Sequence, residues 1–347
     1  MTGWWIAGDI GGTKTQLGLF DPAAGRFVAT ARFENDVYSS VHEPISRFIQ
    51  QHAATGRVLQ AVLAAAGPVQ QDATGQRFAW LTNRRWRIDS SLLTGIPVWV
   101  TNDFSALAHA CGAWLTHPGQ APLQDLCLQL GKQYPISRDQ TWAVVGAGTG
   151  LGQAFLVPAA DGWSVQPSEG GHAAWSPTGK DNQALWTWFC ETQGHAPSCE
   201  DLISGRGIAT LHAFLTGTRA QGDLNAQARD IVARGMAEQD TTHTAALHWF
   251  LRLYAGFAVQ TLQACHPTGG VFIGGGLAPR MLPWMESIFV QEVERQWKMR
   301  RNQSIPPLFV VVDELATLWG AVLEFTHSGE GMQGSSNISS AFSPKVV

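Results

Sequence analysis

The sequence predicts an α/β protein of two lobes, and three observations carry that prediction. Strand-length and helix-length apolar segments alternate through both halves of the chain. A strand, a glycine-rich tip and a returning strand occur near the N-terminus and again near the middle. A chain of 347 residues at 45% hydrophobic content is long enough to bury two cores.

The first of these devices is WIAGDIGGTKTQLGLFD at 5–21. The apolar runs 5–7 and 17–20 flank Gly8-Asp9-Ile10-Gly11-Gly12-Thr13, which reads as a hairpin with an unusual tip. Paired glycines permit positive φ and leave backbone N–H groups free to converge on an anion. Thr13 adds a hydroxyl, and Asp9 adds an acceptor able to orient hydrated Mg²⁺. An ordinary β-turn is the competing reading of the same residues.

A third strand follows at 26–33, then a helix at 42–53 with Ile45, Phe48 and Ile49 on one face. The run 58–66 is a buried strand ending at Gly67-Pro68, and LTNRRW at 81–86 reads as a polar and aromatic loop. Part of a helix at 90–93, a strand at 96–100 and a helix at 103–114 entered at Asn102-Asp103 complete a β-β-β-α-β-α-β-α lobe. The second lobe opens near 112–119. Its strand at 141–145 runs into Gly146-Ala147-Gly148-Thr149-Gly150-Leu151-Gly152 and returns at 154–157, with Gln153 placed after this tip as Gln16 is after the first. Helices are expected at 182–192, 207–215 and 243–265. A strand at 270–273 ends in Gly274-Gly275-Gly276, before a helix at 279–297, a strand at 307–312 and a final helix at 315–325. The smaller lobe is expected to comprise 1–112 plus about 314–326 and the larger 113–313, with the Ser- and Gly-rich 327–347 as a flexible tail.

Composition narrows the function classes. A charged fraction of 14% and a formal net charge of −4 argue against a nucleic-acid or membrane-binding basic surface and favour a small or neutral partner. Cys111, Cys127, Cys190, Cys199 and Cys265 are odd in number and lack CxxC spacing, as expected of reduced thiols in a cytoplasm. A basic leader and a long apolar span are both absent from the sequence, which predicts a soluble, cytoplasmic protein. The 15 Trp could line a sugar site, but core packing is the simpler role. Two common phosphate signatures fail. A P-loop needs Gly-Lys-Ser/Thr where this chain has Gly12-Thr13-Lys14, and a dinucleotide fingerprint from Gly146 needs glycine at Leu151. Two hairpin tips could instead hold the phosphates of ATP, with Gly274 to Gly276 letting base or ribose approach a helix start.

In these residues the chain resembles the actin, heat-shock ATPase and sugar kinase superfamily, and within it the bacterial glucokinase family. The resemblance spans most of 5–325. It rests on GDIGGT at 8–13, AGPV at 66–69, LTNRRW at 81–86, TNDFSALA at 101–108, GTGLG at 148–152, SEGGH at 168–172, CEDLISGRG at 199–207 and GGGLAPR at 274–280. It implies an actin-like, ribonuclease H-like fold with a central cleft that closes around ATP, Mg²⁺ and glucose or a related hexose. A homodimer is compatible with it. The neighbouring family of repressors, open-reading-frame proteins and kinases carries a cysteine-rich zinc motif after its Gly-His pair. Here Gly171-His172 is followed by AAWSPTGKDN, so the glucokinase branch fits better. Lys14 departs from the asparagine often found there, and either lies exposed or reaches a phosphate.

Phosphorylating a sugar requires the hydroxyl to lie in line with the γ-phosphoryl group and its proton to have an acceptor. Asp103, after a strand and beside Asn102, is the candidate base, with helix capping as the alternative. The resemblance matches Asn102 and Asp103 to the sugar-contacting and catalytic positions, and places Glu169, His172 and Glu200 around the sugar. The Glu169-x-x-His172 spacing also suits a metal, although the intervening glycines argue against the helix that would align the two. For Glu200 the alternative is a solvated acid at a helix start, and Asn83 either orients a cleft loop or satisfies a turn. A kinase for another hexose and a sugar-binding regulator on a kinase scaffold remain the rival functions.

Overall fold

The computed structural model describes residues 3–52, 56–118, 122–132, 135–160, 162–297 and 304–328. Of the expected flexible tail, 329–347 lie outside the described residues, as do residue 53 of the first expected helix and residue 119 of the expected lobe boundary. The chain divides into two compact units. Met1–Leu126, Ala160–Val165 and Asp313–Val347 form one, and Cys127–Ala159 with Gln166–Val312 forms the other.

The first unit opens with the expected hairpin, β1 (Gly3–Ile10) and β2 (Lys14–Asp21), followed by β3 (Arg26–Glu34), α1 (His42–His52) and β4 (Arg57–Ala65). Then come β5 (Val69–Gln71), β6 (Arg77–Trp80), β7 (Arg87–Ile88), β8 (Val98–Asn102) and α2 (Asp103–Thr116). The main sheet has the order β3-β2-β1-β4-β8, with β1 antiparallel to β2 and parallel to β4, and β4 parallel to β8. Strands flanked on both sides need apolar residues on both faces, and β1 and the end of β4 are accordingly buried almost throughout.

Where the sequence predicts only a loop around 81–86, β5, β6 and β7 make a small antiparallel sheet just before and after it. Strands of two to four residues are too short for alternation to show. Gly67 makes room for this sheet, because a Cβ there would fall 2.0 Å from the Trp80 carbonyl oxygen.

The second unit contains β9 (Cys127–Leu130), β10 (Trp142–Ala147), β11 (Leu151–Ala159), β12 (Gly162–Ser168), α3 (Gly179–Gln193), α4 (Cys199–Leu202) and α5 (Gly205–Thr216). It continues through α6 (Leu224–Met236), α7 (Thr241–Cys265), β13 (Gly270–Gly274), α8 (Leu282–Trp284), α9 (Gln291–Gln296) and β14 (Leu308–Val311). The chain then re-enters the first unit as α10 (Ala316–His327). The second sheet has the order β12-β11-β10-β13-β14-β9. Its first five strands repeat the pattern of the first sheet: a hairpin, a third strand outside it, then two parallel strands on the other side. β9 is added antiparallel to the outer edge.

β9, β12 and α6 escape the sequence reading. β12 has no buried residue, and α6 buries only Ala228, Ile231, Val232 and Gly235. The helix expected at 279–297 is broken. A 3₁₀ turn at Pro279–Met281 and the short α8 precede a π-helical segment at Met285–Val290. Pro283, inside α8, has no N–H for the i→i−4 ladder, so the wide turn begins beside it.

Several tryptophans serve the cores, although Trp80 is exposed. In the first unit Trp5 stands edge-on to Phe325 at 5.2 Å and Trp319 to Phe27 at 4.6 Å. α10 crosses α2 so closely that a Cβ on Gly320 would fall 1.6 Å from the Ala106 carbonyl oxygen. In the second unit α7 buries Phe250, Leu251, Tyr254 and Phe257 among the residues of the larger core. Among the described residues no helix is long and apolar enough to cross a membrane, and none of the five cysteines is joined in a disulfide.

Candidate active site

The first unit gathers its predicted residues at the carboxyl ends of β1, β4 and β8, where open α/β sheets bind ligands. Gly11, Gly12 and Thr13 form the β1–β2 tip, closed by the Gly11 N–H donating to the Lys14 carbonyl at 2.9 Å. Asn35, fully buried, donates from Nδ2 to the Gly11 carbonyl at 2.8 Å and from its backbone N–H to the Thr13 carbonyl at 2.9 Å. Thr15 Oγ1 donates to Asn35 Oδ1 at 2.8 Å and completes that buried bridge. Arg84 donates from Nε to the Gly12 carbonyl at 2.9 Å and from a terminal nitrogen to the Asn35 carbonyl at 3.0 Å, while also pairing with Asp36. Asn35 is not singled out by the sequence and Arg84 appears there only within LTNRRW, yet together they fix the shape of the tip. Asn83 is exposed in the turn that carries Arg84.

Asp9 lies at the end of β1 below this tip. Burial pushes its carboxyl pKa up while the Lys14 ammonium pulls it down. At the β8–α2 junction it is Asn102 that caps the helix: its Oδ1 accepts from the N–H groups of Phe104 at 2.9 Å and Ser105 at 3.0 Å. Its Nδ2 donates to the Gly67 carbonyl at 3.0 Å, tying the junction to the end of β4. An amide offers two acceptor and two donor positions, so one N–H remains for a ligand. Asp103 is the first helical residue and its Oδ1 accepts from the Phe104 N–H at 3.0 Å.

The second unit brings Gly148, Thr149, Gly150, Glu200, Glu169, His172 and the turn Gly274 to Gly276 to the carboxyl ends of β10 and β13. The β10–β11 tip closes through the Gly148 N–H donating to the Gly150 carbonyl at 2.8 Å, and the Gly205 N–H donates to the Gly148 carbonyl at 2.8 Å. Glu200 is no solvated acid: it is 8% exposed and accepts from the Leu151 N–H at 2.9 Å and from Arg206 at 2.9 Å. A carboxylate has about four lone-pair sites, so Glu200 keeps acceptor capacity for hydroxyl groups. A Cβ on Gly150 would lie 2.5 Å from Oε2, so a side chain there would push the Glu200 carboxylate aside.

Glu169 precedes and His172 ends a single 3₁₀ turn, Gly170–His172, with their side chains exposed and 3.6 Å apart. The turn rests on β11. A Cβ on Gly170 would fall 1.9 Å from Gln153 Oε1, and one on Gly171 would fall 1.9 Å from the Leu151 carbonyl oxygen. Residues 173 and 174 pair with 198 and 199, which sets α4 and Glu200 beside the turn. Gly275 has φ +78° and packs on Ala147, where a Cβ would lie 2.3 Å from the carbonyl oxygen. Among the described residues no three His, Cys, Asp or Glu side chains are grouped to hold a metal ion.

Known proteins are similar to this chain over most of its length. A glucokinase of Nostoc punctiforme is 29% identical over 348 residues, covering 92% of this chain and 97% of that one. The crystal structure of a glucokinase from an Antarctic psychrotroph superposes with a TM-score of 0.67 at 27% identity, covering 93% of this chain and 99% of that one. A ROK family glucokinase from Streptomyces griseus, solved with glucose and AMPPNP, shares the fold with a TM-score of 0.61 at 18% identity, over 92% of this chain and 97% of that one. The family model for Glucokinase matches residues 6–328, and the chain belongs to that family of sugar-phosphorylating enzymes.

Proposed function

We propose that this chain transfers the γ-phosphoryl group of ATP to the 6-hydroxyl of glucose, with Asp103 as the general base. The observation that carries the reading is the division of labour at the β8–α2 junction. Asn102 supplies the cap oxygen for both Phe104 and Ser105, and Asp103 only shares the Phe104 N–H, so the helix is capped without requiring a carboxylate at position 103. Phosphoryl transfer needs little covalent help from the protein, and positioning of the hydroxyl with removal of its proton is the task left to such a group. The remaining N–H of Asn102 and the carboxylates and imidazole of Glu200, Glu169 and His172 suit the hydroxyls of a hexose. Such hydrogen bonds to charged groups contribute about 1.5–3 kcal/mol each.

The tips at Gly11 to Thr13 and Gly148 to Gly150 would receive the phosphates on backbone N–H groups. The turn Gly274 to Gly276 would admit the nucleoside. Asp9 suits hydrated Mg²⁺: a carboxyl whose burial disfavours its charge gains most from a nearby dication, which when bound neutralises β- and γ-phosphate charge. The Streptomyces griseus protein, solved with glucose and AMPPNP, supports this choice of substrates.

A coupled assay for glucose 6-phosphate with Mg-ATP tests the proposal, with mannose, fructose and amino sugars as competitors. Turnover with glucose preferred is the expected outcome. Asp103→Ala should still bind the sugar but lose a factor on the order of 10²–10⁴ in kcat. Unchanged turnover in that variant removes Asp103 as base, and glucose binding without any product would make the protein a sugar-responsive regulator.

A further inference from the structure

Helix α7, at 25 residues the longest among the described residues, buries two polar side chains, Tyr254 and Thr261. Tyr254 is fully buried, yet its hydroxyl accepts from the Ala147 N–H at 3.2 Å and faces the carbonyls of Val145 at 3.2 Å and Gly274 at 3.3 Å. These backbone groups belong to β10 and β13 at the point where their pairing ends, Gly146 being opposite Gly274. One oxygen thus closes the last gap between two strands just before they part into the Gly148 to Gly150 tip and the Gly274 to Gly276 turn. The two loops meet directly above it. Gly275 lies against Ala147, and the Leu277 N–H donates to the Ala147 carbonyl at 3.3 Å.

Seven residues on, about two helical turns along the same face, Thr261 repeats the arrangement at the next hairpin strand. Its buried Oγ1 accepts from Gln153 Nε2 at 2.7 Å. Gln153 Oε1 accepts from Ser168 Oγ at 2.8 Å, and Ser168 Oγ in turn accepts from the Gly170 N–H at 3.1 Å. The chain Thr261, Gln153, Ser168, Gly170 therefore seats the turn bearing Glu169 and His172.

We infer that α7 is a strut which registers the nucleotide loops against the sugar turn, with Tyr254 a positioning residue for the nucleotide and Thr261 a positioning residue for the hexose. The inference rests on the reading of those loops given under Proposed function. Both side chains act through backbone or Gln153, and neither touches a substrate.

The test is a crossed pair of single-group deletions in the full chain. Tyr254→Phe is expected to raise KM for Mg-ATP about three- to tenfold with KM for glucose within about twofold of wild type. Thr261→Val is expected to give the reverse pattern, and Thr261→Ser, which keeps the hydroxyl, to restore it. Two further variants test the underlying reading: Gly275→Ala for the nucleotide loop and His172→Ala for the sugar turn. If these two weaken their respective substrates but Tyr254→Phe and Thr261→Val change neither KM, or change both alike with only a loss in Tm, the strut is overturned. If Gly275→Ala leaves ATP affinity intact and His172→Ala leaves glucose affinity intact, the assignment of the loops fails and the inference falls with it.

Discussion

Adjacent residues 102 and 103 carry different duties, and the difference can be measured. Asn102 Oδ1 is committed to the helix and one of its N–H groups to Gly67, so only the second N–H is free for a hydroxyl. Asn102→Ala should destabilise the protein by about 0.5–2 kcal/mol, the usual cost of a lost cap. Asn102→Asp keeps a cap oxygen but has no N–H. It should recover most of the stability in urea unfolding while leaving hexose affinity as weak as in Asn102→Ala. Recovery of both by aspartate would show that the amide N–H is not used for the sugar. The pairing of Asn and Asp was legible in the sequence, but their roles were not, because a cap is a matter of which side chain curls back over the helix. Asn35 and Arg84 were hidden for another reason. They bind the tip from 24 and 72 residues away, so even for Arg84, which lies in LTNRRW, nothing local points to its partner.

At the scale of elements, glycine was the readable signal because close backbone approach leaves no room for a side chain, as at Gly67, Gly171 and Gly275. The contact between α2 and α10 was not readable, since it joins segments more than two hundred residues apart through a half-buried polar cluster. There Glu324 accepts from Thr101 and from Ser105 at 3.3 Å, with Arg77 at 3.6 Å and His109 at 3.9 Å. Burial, reinforced by the neighbouring His327, lowers the His109 pKa from 6.5 to about 4. A base whose pKa is lower folded than unfolded binds fewer protons when folded. Its neutral form therefore supports the fold fully above pH 6.5, and that support is lost as the pH falls toward 4. Burial raises the Glu324 pKa, so protonation of that carboxyl works in the opposite sense on acidification. Comparison with His109→Gln isolates the histidine. Relative to the variant, the wild type should lose on the order of 3 kcal/mol across this window. Parallel stability curves for the two proteins would show that His109 does not titrate in this way.

On the scale of the whole molecule, alternation of strands and helices made the α/β class legible, and the repeated glycine-rich tip showed the same hairpin device in both halves. What could not be read were the elements that the shared strand pattern does not require, such as β9 on the outer edge of its sheet and the small β5-β6-β7 sheet. Each unit also has its own core: Phe48 sits fully buried with Ile6, Leu17 and Ile45 in one, and Phe250 with Leu251, Tyr254 and Phe289 in the other. Truncating a buried phenylalanine removes about 3–5 kcal/mol, and cores that open separately should feel that loss separately. Phe48→Ala is therefore expected to speed amide exchange in β1, β2 and β4 while β10 and β13 keep wild-type rates, and Phe250→Ala to do the converse. Faster exchange in both sheets from either substitution would mean that the two cores open as one cooperative unit, and that a division of the chain by its cores is not a division of its stability.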